Sequence, residues 1–206
     1  MMEEQVRFPV GDVVLEGLLA LPAPAARVGV VVCHPHPLYG GEMRNNVVEG
    51  LTIGLRRAGH ATLRFNFRGV GGSSGEHGHG VAEIDDVTAA VDYLLSRQAF
   101  ETVVVAGYSF GSMVGLKAGA DDPRVHKLIG VALPIATRDA SFLLGVMKPK
   151  LLVSGDRDDI SPVAALEALH AKLADPKELV IVEGVDHFWS RREVDAADAA
   201  VRFLEA

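Results

Sequence analysis

The chain of 206 residues contains a single cysteine, Cys33, so an intrachain disulfide is impossible. A reducing compartment, by default the cytoplasm, is the simplest expectation. No uninterrupted apolar run approaches the ~18 residues needed to span a bilayer, which sets aside a membrane partner. The opening Met1-Met2-Glu3-Glu4-Gln5 is acidic and no long apolar region follows it, unlike a signal peptide. Long runs of like charge are also missing. With a formal net charge of -7, the chain offers no extended cationic face, and nucleic acid is not expected as a partner. Internal repeats, low-complexity segments and linkers are absent too, so residues 1–206 read as one domain.

What is present points to an α/β protein. A content of 49% hydrophobic and 23% charged residues is that of a globular chain able to bury a core. Twenty-two glycines suit a sheet with tight strand-to-helix turns better than a helical bundle. Two stretches between Val6 and Leu21 flank Gly11-Asp12 and predict a hairpin. Short β-branched runs then recur at 28–33, 61–67, 102–107, 128–133, 150–155 and 178–184, giving eight strands. Helical periodicity fills 43–58, 81–97, 112–120, 162–174 and 190–205. Ser161-Pro162 and Ser190-x-x-Glu193 look like the N-cap and the capping box of the last two helices. Such alternation implies a mostly parallel sheet with helices on both faces.

In sheets of this kind function gathers beyond the carboxyl ends of the strands. Gly107-Tyr108-Ser109-Phe110-Gly111 stands at one such end and fits the G-x-S-x-G elbow that exposes a nucleophilic serine. Gly71-Gly72-Ser73-Ser74-Gly75 matches the same pattern. Ser109, however, lies between a β-branched run and a segment able to form a helix, whereas Ser73 is followed by a glycine-histidine loop. Ser109 is therefore the expected nucleophile. A serine hydroxyl needs a base, itself oriented by a carboxylate, and elbow enzymes supply them in the order Ser, Asp or Glu, His. His126 precedes a strand and His170 lies inside a predicted helix, which leaves His187, just after the last strand, as the base. The acid should follow the strand at 150–155, where Asp156, Asp158 and Asp159 are not ranked by spacing. Phe110 supplies one backbone donor for an oxyanion. The second should come from His34-Pro35-His36-Pro37-Leu38, where the prolines have no N–H; His36 leads, with Leu38 next. The His34-x-His36 pair lacks a third ligand nearby, so no metal is expected.

These segments, CHPHPLYGGEMRNNVV (33–48), FNFRGVGGSSG (65–75), GYSFGS (107–112), GDRDDISP (155–162) and VDHFW (185–189), together resemble the compact, dienelactone-hydrolase-like group of the α/β-hydrolase superfamily. The resemblance covers most of the chain. It implies an eight-stranded sheet, a Ser–Asp–His triad and hydrolysis of a carboxylic ester without a cofactor. It also singles out Asp158, the third residue after the glycine of its loop. True dienelactone hydrolases carry a cysteine nucleophile where this chain has Ser109, so their substrate does not carry over. Arg68, in the shared N-x-R-G segment, is expected to anchor the glycine loop more than to bind substrate, and His77 and His79 to face solvent. Only some fifteen residues separate Leu133 from Lys150, too few for a helical cap. An open site for small or short-chain esters follows, with Leu38, Tyr39, Phe188 and Trp189 as substrate contacts. Phe142, Met147, Phe188 and Trp189 could line an apolar patch there, or belong to the core or to a homodimer contact. The alternatives are an acyltransferase or peptidase on the same triad, or a binding protein that keeps the shell without turnover.

Overall fold

The computed structural model describes residues 2–206; Met1, where the acidic opening begins, lies outside the described residues. The expected hairpin is present. β1 (Glu4–Val10) and β2 (Val13–Ala20) pair antiparallel across Gly11-Asp12, with Gly11 in the left-handed region at φ +56°. The remaining strands are β3 (Val28–Cys33), β4 (Ala61–Phe65), β5 (Thr102–Tyr108), β6 (Lys127–Val131), β7 (Lys150–Gly155) and β8 (Lys177–Val182). They form one sheet in the order β1-β2-β4-β3-β5-β6-β7-β8. β2 meets β4 antiparallel, and every pairing from β4 onward is parallel. The chain steps from β3 to β4 on one side and returns past β3 to β5 on the other. That reversal leaves a crevice at the carboxyl end of β3.

Period-two burial divides the strand side chains between two cores. Val31 and Cys33 face one layer together with residues of α2 (Glu83–Arg97), α3 (Phe110–Asp121) and α4 (Val163–Lys172). Val30 and Val32 face the other, beneath α1 (Asn46–Arg57) and α5 (Glu193–Glu205). Burial on both faces explains why these strands read as continuous apolar runs. Among the described residues no helix is long and apolar enough to cross a membrane.

Both expected cap assignments need correction. α4 starts at Val163, one residue late, because the Ser161 N–H and the Ile160 N–H are held by the Asp158 carboxylate at 2.8 and 2.9 Å. α5 starts at Glu193 behind Arg192, and the Glu193 carboxylate accepts from Asn46 Nδ2 (2.7 Å) and the Arg191 N–H (3.3 Å) instead of bonding back to Ser190. At α5 a tertiary partner, Asn46, displaces the local box, and at α4 a competing local turn on Asp158 displaces the expected cap.

α1 and α5 approach closely through Gly50 and Gly54. A Cβ on Gly54 would sit 2.6 Å from the Ala197 Cβ, and one on Gly50 the same distance from the Glu193 Cβ. Gly54→Val is expected to destabilise the fold by about 1–3 kcal/mol through overpacking, read as a lower urea midpoint; unchanged stability would show that α5 is free to shift.

Candidate active site

Ser109 occupies the single residue between β5 and α3, with φ 54° and ψ -119°. For a residue with a side chain this is a strained conformation, and strain persists only where the surroundings over-determine it. Here the Ser109 N–H donates to Val131 O (2.9 Å), while Ser109 O accepts from the Ser112 N–H (3.0 Å) and the Ser112 hydroxyl (2.6 Å). The flanking glycines are required by space. A Cβ on Gly107 would collide with the Gly111 carbonyl, and one on Gly111 with the carbonyl oxygens of Cys33 and His34. The elbow pattern thus records a backbone-to-backbone contact between the start of α3 and the end of β3.

The second match to that pattern does something else. Ser73 is buried, its hydroxyl donating to Asn66 O (2.7 Å) and accepting from the Glu16 N–H (3.0 Å), which ties the glycine loop to β2.

His187 Nε2 lies 2.9 Å from Ser109 Oγ, and its Nδ1 lies 2.8 Å from Asp158 Oδ2 and 3.0 Å from Oδ1. Asp158 is buried and also accepts the two N–H groups of Ile160 and Ser161, so its carboxylate is fixed with acceptor capacity aimed at the imidazole. The three aspartates left open by spacing separate here: Asp156 caps the Gly184 N–H at 2.6 Å, and Asp159 is exposed. The strand β8 delivers His187, and Tyr108 secures it from below, its hydroxyl donating to His187 O at 2.6 Å. Tyr108 was not foreseen; an aromatic residue between the elbow glycine and serine is the sequence signal for it. Burial, aided by Asp158 and Asp186, pushes its phenol pKa up, which keeps it a donor.

The loop after β3 leaves one N–H for an oxyanion. Between Pro35 and Gly41, the Leu38 N–H is taken by the His36 ring (3.3 Å), those of Tyr39 and Gly41 by His36 O (3.1 and 3.0 Å), and that of Gly40 by Pro37 O (3.2 Å). The prolines have none, so His36 N–H remains, and Leu38 drops out as a donor. Phe110, at the first position of α3, likewise has no intrahelical acceptor for its N–H. His34 orients this loop. The Phe67 N–H donates to its Nε2 (3.0 Å), so Nδ1 carries the proton and donates to Pro35 O at 2.7 Å. In a trans peptide C=O and N–H point opposite ways; holding the Pro35 carbonyl therefore aims the His36 N–H away from His34. His34 is not a ligand, since both ring nitrogens are engaged.

A cleft of about 730 Å³ opens beside Ser109, lined among others by Tyr39, Pro134, Thr137, Arg138, Ile160 and Phe188. Tyr39 and Phe188 are there as expected; Leu38, Phe142 and Met147 are not in its lining. Phe142 packs against the core beneath α3, and Met147 is exposed. Trp189 is a correction: it is fully buried in the core under α1 and α5, because the chain turns at φ 58° and sends Phe188 outward and Trp189 inward. His77 is another. It stacks between His36 (5.1 Å), Phe110 (5.7 Å) and His79 (5.0 Å), with Nδ1 2.7 Å from Glu83 Oε1. Arg68 is held by Asp86 through three donors and anchors the glycine loop. Cys33 is buried and its thiol pKa is pushed up by that burial.

Burial lowers the His34 pKa from about 6.5 to about 4. Between those values the unfolded chain takes up a proton that folded His34 refuses, so stability falls as pH drops through that window and is complete above it. His34 alone should account for up to about 3 kcal/mol between pH 7 and pH 4. Urea titrations of wild type and His34→Phe should show a shallower pH slope in the variant; equal slopes would remove His34 from this role.

A family model described as serine aminopeptidase, S33, matches residues 26–148. An uncharacterized protein of Rickettsia prowazekii is 31% identical over 191 residues, covering 88% of this chain and 80% of that protein. An α/β serine hydrolase homologue from Coxiella burnetii is similar in structure at a TM-score of 0.90 and 34% identity, covering 99% of this chain and 98% of its own. An α/β serine hydrolase without a lid from Xanthomonas campestris gives 0.88 and 32%, with 100% and 94% covered.

Proposed function

The chain belongs to the serine aminopeptidase S33 family, is an α/β serine hydrolase, and from that premise we propose that it cleaves small or short-chain carboxylic esters through Ser109, His187 and Asp158. The observation that carries this reading is the continuous hydrogen-bond line from Ser109 Oγ through both nitrogens of His187 to a buried, doubly held Asp158.

His187 Nε2 accepts the Ser109 proton as Oγ bonds to the acyl carbon, and Asp158 holds the imidazole in the tautomer that can do so. The tetrahedral oxyanion accepts from the Phe110 and His36 N–H groups. As the C–O bond to the alcohol breaks, His187 returns the proton to the leaving oxygen. Water, deprotonated by the same nitrogen, then attacks the acyl carbon; the bond from that carbon to Oγ breaks, His187 returns the proton to Ser109 Oγ, and the acid leaves.

Two observations favour an ester over an aminoacyl peptide. No Asp or Glu lines the cleft to hold a free α-ammonium group. The segment joining β6 to β7 carries only a short 3-10 turn, Ser141–Leu143, so no cap encloses a longer substrate.

We expect turnover of p-nitrophenyl acetate and butyrate that is lost in Ser109→Ala, and a fall of roughly 10³–10⁴ in kcat for Asp158→Asn. Asp156→Asn and Asp159→Asn should stay near wild type. Equal rates for wild type and Ser109→Ala would refute the proposal. An organophosphonate mapped by mass spectrometry should label Ser109 and leave Ser73 free; aminoacyl p-nitroanilides cleaved faster than the esters would favour the peptidase reading instead.

A further inference from the structure

The cleft lining contains one permanently charged side chain, Arg138, and no carboxylate. The chain as a whole carries 27 acidic against 20 basic residues, and arginines such as Arg64, Arg68 and Arg124 are paired with carboxylates. Arg138 is not paired in this way and faces the cleft. Its neighbour Asp139 is turned away onto Ser141, accepting from the backbone N–H (2.9 Å) and the hydroxyl (2.7 Å). Among the described residues no carboxylate forms an ion pair with Arg138.

Its position is nevertheless defined. The guanidinium lies over the Phe110 ring, with Cζ 5.5 Å from the centroid, a stacked placement that steadies the planar group while leaving its N–H edge available. The same ring is flanked by His36 at 4.7 Å and His77 at 5.7 Å. Arg138 lines the same cleft as Ser109, so the free cation stands in the site that holds the candidate nucleophile. Burial first, and then the Arg138 guanidinium, hold the His36 pKa below its ordinary value, so the imidazole does not compete with Arg138 as a cation.

Arg138 is exposed at the rim of the cleft, and its guanidinium fork matches a carboxylate in shape and in unit charge. A dianionic phosphate would call for a second fixed cation. We propose that Arg138 is a specificity-determining residue that binds a carboxylate carried by the ester substrate, so that the enzyme prefers half-esters of dicarboxylic acids, or esters of hydroxy acids, to neutral esters of the same size. The proposal rests on the ester-hydrolase reading given above.

Two matched pairs test it and distinguish which side of the ester carries the charge: monoethyl adipate against ethyl hexanoate, and 4-acetoxybenzoate against its methyl ester. The wild type should favour the anionic member of at least one pair in kcat/KM. Arg138→Gln should reduce the anionic-to-neutral ratio about 10- to 100-fold, mainly through KM, and Arg138→Lys should restore part of it. A ratio unchanged by Arg138→Gln, or no anionic preference in the wild type, overturns the proposal while leaving the hydrolase reading intact. Calorimetric titration of Ser109→Ala with monoethyl adipate supplies a readout without turnover. If the wild type cleaves none of the four esters, the short-chain ester reading fails while the serine-hydrolase assignment stands; the subsite then stands if Arg138→Gln weakens that binding at least tenfold, and falls if it does not.

Discussion

The site depends on how closely the first turn of α3 approaches the end of β3. The Gly111 backbone rests on the carbonyls of Cys33 and His34, and Gly107 allows the strand to turn into the helix within one residue. This contact brings together two peptide groups from distant parts of the sequence, Ser109–Phe110 and Pro35–His36. A single added methyl group at either glycine would separate them. Ser109 is held at φ 54° for the same reason: no extended or helical backbone makes the turn in so little space.

Around that contact the other parts are held in place by groups that perform no chemistry themselves. His34 fixes the plane of the peptide that presents the His36 N–H, Tyr108 fixes the backbone of His187, and the N–H groups of Ile160 and Ser161 fix Asp158. His34, Tyr108 and Ser161 are buried, where an unpaired polar group would be costly. The geometry is thereby coupled to folding.

The sheet was largely legible in the sequence, because strands buried on both faces appear as β-branched runs between turn residues, and every expected strand is present within two residues or so. That Ser109 and His187 would meet was legible from their positions at strand ends. Asp158 was not separable from Asp156 and Asp159 by spacing, since what distinguishes it is which backbone N–H groups face it. Trp189, His77 and the two helix starts were misread for a related reason. Trp189, His77 and the start of α5 take their surroundings from other segments, the α1–α5 core, Phe110 and Glu83, and Asn46, whereas the start of α4 is set by a competing local turn on Asp158. Arg138 left a faint signal as the one cation between Pro134 and Met147.

The short segment joining β6 to β7 has a kinetic consequence. In the proposed acyl-enzyme mechanism the openness it leaves lets solvent reach the acyl carbonyl once the alcohol departs, so the acyl group partitions by competition between water and dissolved alcohols.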